Sequence, residues 1–149
     1  MAQGGKMSDM VVRVAAKAVI LNNKKQVLIV REAPTYDEGS HIGRYGIPGG
    51  RLEVGESFND GLKREVKEET GLEVEVIGPI CVGEWRPIIK GVPHQIIAIF
   101  MACKPKSTEV TLSNEHDAYE WIDPTRYKEY DLMDPNWDSI MNFVVNLHD

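Results

Sequence analysis

Cysteine is scarce in this chain, with Cys81 and Cys103 the only two among 149 residues. Two thiols cannot build a disulfide framework, and no C-x-x-C spacing suggests zinc, so both are expected as half-buried free thiols. Long apolar runs are missing too. No stretch approaches the roughly 20 residues that cross a bilayer, so no membrane partner is expected. The opening MAQGGKMSDM lacks the apolar core of a secretory signal. It is expected to be a flexible leader (residues 1–9) to one domain over residues 10–149, in the cytoplasm. Positive charge is in deficit: 17 Lys and Arg stand against 23 Asp and Glu, a formal net charge of −6. That balance argues against nucleic acid as a partner, because bulk electrostatics would repel its backbone. A phosphate-bearing small molecule would need a local source of positive charge. The length allows one domain with a proper core and hardly two, and leaves open whether the chain is a monomer or a homodimer.

What is present begins with two segments rich in β-branched residues, 11–22 and 26–32, joined by the turn NNKK. A polar, glycine-containing stretch follows over residues 33–45, too long for a tight turn and suited to a functional or a mobile loop. GIPGG then reads as a rigid turn whose glycines permit close backbone approach. Ser57 is placed to cap a helix over residues 58–70, and Gly71 to stop it. Strands are expected over 72–85, 94–104 and 118–122. Asp123-Pro124 and Asp134-Pro135 are both cap-plus-first-turn signals, and the second is expected to open a last helix. Strands mixed with at least two helices predict a layered α/β domain.

The helix over 58–70 carries an anomaly. Advancing roughly 100° per residue from Phe58 puts Leu62 and Val66 on one apolar stripe. Glu69 falls inside that stripe, Glu65 at its edge and Glu68 on the adjoining side, while Lys63, Lys67 and Asp60 face away. A salt-bridged surface with Arg64 and Glu68 as an i,i+4 pair is the ordinary reading of such a segment. It does not account for Glu69, whose free anion in an apolar stripe costs too much. Either some carboxyls become neutral or a cation sits among them. The nearby ligands are hard oxygens with no His or Cys, which suits Mg2+ or Mn2+ better than zinc.

Gly50, Glu56 and the run REVKEETGL from Arg64 to Leu72 resemble the signature of the Nudix hydrolase family, MutT-like members included, with every defined position matched. The resemblance implies an α/β/α sandwich around a mixed sheet, and Mg2+-dependent hydrolysis of a nucleoside diphosphate linked to another group. It implies metal ligation by Glu68, Glu69 and the Gly49 carbonyl, with Glu65 as a further ligand or as general base. Arg64 and Glu56 would be an orienting ion pair. NEHDAYEWI is similar to a MutT-like segment whose glutamate, here Glu115, assists the metal site. His94, His116 and His148 have no ligand-like spacing and are read as surface or structural; His41, in the long loop, could approach a phosphate.

The substrate is less constrained than the reaction. A purine nucleoside triphosphate, cleaved to monophosphate and pyrophosphate, is the first expectation, with Tyr45, Trp85, Arg86 and Asn136 as the base-holding set. Aromatic faces stack on bases, and an amide pairs with a base edge. Tyr36, His41 and Arg44 stand in the loop before Tyr45. ADP-ribose or another nucleoside diphosphate sugar is the second expectation, since Pro87 is similar to a proline of ADP-ribose-cleaving relatives. A non-catalytic nucleotide sensor is the alternative from another class.

Overall fold

The computed structural model of the chain describes residues 9–34 and 42–147. Most of the expected leader, together with Tyr36, His41 and His148, lies outside the described residues. The elements are β1 (Val11–Ile20), β2 (Val27–Glu32), β3 (Tyr45–Gly46), β4 (Gly49–Arg51), α1 (Phe58–Thr70), β5 (Val74–Trp85), β6 (Ile88–Ile89), β7 (Val92–Pro105), β8 (His116–Ile122) and α2 (Trp137–Val145), with a 3-10 segment, Pro124–Glu129, before α2.

A mixed sheet in the order β4-β1-β7-β5, with β6 also paired to β7, forms the centre. β1 and β7 run parallel and the other pairs antiparallel. A second, antiparallel sheet is ordered β3-β2-β8. Alternation along β1 assigns its two faces. Ala16, Ala18 and Ile20 pack with Leu62 and Val66 of α1. Ala15 and Val19 join Trp137, Ile140, Met141 and Val144 of α2. The helices therefore cover opposite faces, and the expected α/β/α sandwich is what the chain forms.

Local signals account for α1. Ser57 is extended and its hydroxyl accepts from the Asp60 N–H, while Gly71 takes the left-handed conformation and donates to the Lys67 carbonyl. The two short strands β3 and β4 were not expected, because GIPGG reads as a turn. It is one, but β3 pairs with β2 in the small sheet and β4 with β1 in the large one. The turn carries the chain from one sheet to the other.

Asp134-Pro135 needs correction, since it neither caps nor opens the last helix. Asn136 occupies the cap position with a left-handed backbone and no side-chain cap bond. Asp134 is instead buried, and its Oδ2 accepts the Ile47 N–H at 2.7 Å. A turn amide removed from water needs an acceptor, and that long-range demand outweighs the local cap preference. The first Asp-Pro pair behaves as expected, Asp123 accepting from the Thr125 N–H at 2.9 Å.

Leu62 is fully buried against β1, and Lys63 is exposed one residue on. Leu62→Ala is expected to cost about 2–5 kcal/mol and Lys63→Ala no more than about 0.5 kcal/mol, read as urea unfolding midpoints in chelator.

Candidate active site

One cleft of about 580 Å³ gathers the acidic flank of α1 and the α2-side face of the central sheet. Glu65 and Glu69 stand beside Gly50 and Gly49 on the edge strand β4, with Glu115 close enough to act on Glu69, whereas Trp85 and Ile96 pair across β5 and β7 toward the other edge of the sheet. All of them line the cleft, with Glu68, Ile47, Pro87 and Ile89. Gly49 and Gly50 line it too. Their lack of side chains lets carboxylates from one side of the sheet reach a cleft on the other. A Cβ on Gly49 would run into the backbone of Ala16 and Lys17, and one on Gly50 would come within 2.6 Å of Glu65 Oε2. Gly49 also has φ at 137°, a conformation that side chains avoid.

Glu69 is 4% exposed, as its place in the apolar stripe requires. Burial pushes its carboxyl well above the ordinary range. The charge of Lys17 and the Gly49 N–H oppose that shift, while Glu65 and Glu115 add to it. The N–H donates to Oε1 at 3.1 Å.

Arg64 is the hub of the flank. It grips Glu56 with both Nε (2.6 Å) and Nη2 (3.0 Å). Its Nη1 reaches Glu65 Oε1 at 3.1 Å and Glu68 Oε1 at 3.0 Å. The expected Glu56–Arg64 pair and the i,i+4 contact to Glu68 therefore coexist on one guanidinium. Its hydrogen bonds hold Glu56 at about 2, the Glu53 N–H contributing next.

Among the described residues, no three His, Cys, Asp or Glu side chains converge closely enough to hold a metal ion as they stand. Arg64 supplies the reason, since two of the three helix carboxylates lean on it. The donor chemistry still suits a hard divalent cation: Glu69 is a buried carboxylate that accepts the Gly49 N–H, and Glu65, Glu68 and Glu115 bring further carboxylate oxygens to the same cleft.

Trp85 lines the cleft, but the four residues expected to hold a base are not brought together. Tyr45 turns its ring edge to Tyr130, with centroids 6.0 Å apart, and donates its hydroxyl to Glu120. Arg86 is exposed and paired with Glu84 at 3.0 Å. The Asn136 amide donates to the Val82 carbonyl at 2.7 Å, tying the start of α2 to β5. None of these three is among the residues lining the cleft. Arg44 pairs with Asp131 at 2.9 Å. The thiols behave nearly as expected: Cys81 is half-buried, whereas Cys103 is fully buried, which pushes it up to about 12.

Several lining residues had no sequence signal that was read as functional: Lys17, Glu32, His116 and Asp134, with Arg13 and Arg51. Lys17 interrupts the apolar run AAKAVI, and that interruption was the available clue. His116 was read as surface or structural, yet it borders the cleft. Burial and the nearby Lys17 charge lower it to about 4, and its buried Nδ1 has no hydrogen-bond partner among the described residues. His94 is buried, with Nδ1 2.8 Å from the Val92 carbonyl.

A model of the NUDIX domain matches residues 11–143. The chain belongs to the Nudix family. A MutT-like protein of Streptomyces ambofaciens is 31% identical over 116 residues, covering 78% of this chain and 67% of the relative. Nucleoside triphosphatase NudI of Klebsiella pneumoniae is 31% identical over 121 residues, covering 76% and 84%. The crystal structure of a MutT protein from Methanosarcina mazei superposes with a TM-score of 0.75 at 23% identity, over 92% of this chain and 93% of that one. This Nudix chain is a hydrolase of phosphorus-containing anhydrides, a class that generally uses divalent cations.

Glu56 and Glu69 predict opposite effects on metal-free stability. Glu56 is depressed when folded, so its contribution is complete above the ordinary carboxylate value and fades as pH falls toward about 2. Glu69 is raised when folded, so it destabilises the chain once pH exceeds the unfolded value. Glu69→Gln should therefore stabilise the chain at pH 7.5, and the gain should vanish by about pH 4. Glu56→Gln should destabilise it at pH 7.5, with the loss shrinking only below about pH 4.5. Urea titrations in chelator across this range read both.

Proposed function

We propose that this Nudix hydrolase is a Mg2+-dependent pyrophosphohydrolase that cleaves a purine nucleoside triphosphate to the monophosphate and pyrophosphate, with Mn2+ as an alternative ion. The supporting observation is a single cleft lined by carboxylates beside the β4 edge of the sheet and by Trp85 and Ile96 toward its β5 edge. The NudI relative is a nucleoside triphosphatase, which points the same way.

Glu68, Glu69 and the Gly49 carbonyl, with Glu65, are the groups that would hold the ion. When bound, it supplies the positive charge this acidic chain lacks and polarises pyrophosphate oxygens and an attacking water. Before loading, Arg64, held by Glu56, keeps Glu65 and Glu68 together. A carboxylate, Glu65 or Glu115, accepts the proton of that water as its oxygen bonds to phosphorus. The anhydride P–O bond breaks and its electrons leave on the pyrophosphate. Trp85 offers a face on which the base stacks.

ADP-ribose is the second reading, favoured by Pro87 in the wall of the same cleft. Either reaction makes the chain an enzyme and not a sensor.

Turnover is expected with Mg2+ or Mn2+ and should cease in excess EDTA. Glu69→Gln and Glu68→Gln should each lower kcat by roughly 10²–10⁴, and Lys67→Ala on the opposite face should change it little. A kcat/KM comparison across nucleoside triphosphates and ADP-ribose, reading pyrophosphate and monophosphate release, selects the substrate. A higher value for ADP-ribose than for every triphosphate would replace the first reading by the second.

A further inference from the structure

Lys17 is 7% exposed, an uncommon burial for a lysine. It shares a strand face with Arg13 and Ala15, and all three line the cleft. Its backbone lies directly opposite Gly49 in the β1–β4 pairing. The ammonium stands 3.6 Å from Asp134 Oδ1, beyond hydrogen-bond length, so this pair leaves donors of the ammonium to be satisfied. Asp134 is itself fixed, since its other oxygen holds the Ile47 N–H at 2.7 Å. The charge of Lys17 bears on both Glu69 and His116. Those relations place the ammonium in the cleft beside Glu69, His116 and Asp134, on β1, the junction between the glycine edge strand and the strands of Ile96 and Trp85.

We propose that Lys17 contacts the phosphate attached to the nucleoside, as a protein-borne cation separate from the metal. This rests on the nucleotide reading of the cleft. A nucleotide laid with its base against Trp85 and its terminal phosphates toward Glu68 and Glu69 must bring its first phosphate to that junction. Burial raises the strength of a charge-assisted contact there, because water does not compete for either partner. Asp134 holds the ammonium in place while leaving it donors to spend on a phosphate oxygen. A purely structural lysine, present only to offset Asp134 and Glu69, would affect stability but would not distinguish a nucleotide from its nucleoside.

Binding in excess EDTA separates these roles, because no metal then contributes to phosphate affinity. The probes are AMP and GMP against adenosine and guanosine, measured by calorimetry on wild type, Lys17→Met and Lys17→Arg. Wild type is expected to prefer a monophosphate to its nucleoside, and Lys17→Met to lose about tenfold or more of monophosphate affinity with nucleoside affinity unchanged. Lys17→Arg, which keeps the charge but moves it, should retain part of the preference. The proposal is overturned if wild type shows no preference, if Lys17→Met keeps it, or if Lys17→Met loses nucleoside and monophosphate alike. Should Lys17→Met fail to fold, Lys17→Arg decides, an unaltered preference counting against the proposal. Failure of the triphosphate reading is seen separately, as preferred turnover of ADP-ribose by wild type. AMP would remain a valid probe in that case, because ADP-ribose also carries a phosphate on its nucleoside.

Discussion

The site depends on a carboxylate buried where a helix meets a glycine edge strand. Glu69 is on the core-facing side of α1, so the same packing that holds Leu62 and Val66 against β1 also holds its charge out of water. Burial of that kind is tolerated only with compensation. The Gly49 N–H and the Lys17 charge provide part of it. Under the proposed function, a divalent cation would meet the remaining demand, in a chain whose overall charge is negative.

Around that point the architecture distributes roles by layer. The α1 layer carries acidity, the α2-side face of the sheet carries the apolar floor, and β4 is thin enough for the two to meet. Ile47, Gly49, Gly50 and Arg51, from the segment that changes sheets, line the cleft. Asp134 secures this segment from a distance, through the Ile47 amide.

What was legible in the sequence was mostly local. The caps of α1 and the intrusion of Glu69 followed from residue type and helical period, because a helix places each side chain by counting. The long strands followed from their β-branched runs. The strands β3 and β4 were not legible, since two or three residues become strand only by pairing with distant partners. Asp134 was misassigned for the same reason: its local context is a helix cap, while its actual partner is 87 positions away in the chain. Tyr45, Arg86 and Asn136 carry the right chemistry for a base, yet Glu120, Glu84 and the β5 backbone engage them elsewhere. Lys17 was not legible as a cleft residue because strand alternation shows which residues share a face, and not which face opens on a cleft.

Arg64 has a consequence for the life of the chain before any metal arrives. Its guanidinium gathers Glu56, Glu65 and Glu68 in the folded chain, so without a metal the three carboxylates do not stand bare and mutually repelling. Under the proposed mechanism, loading the site is then an exchange of partners by side-chain rotation, with Glu56 keeping its grip on Arg64. The arginine serves as a resident placeholder, and the helix need not be rebuilt when the ion comes or goes.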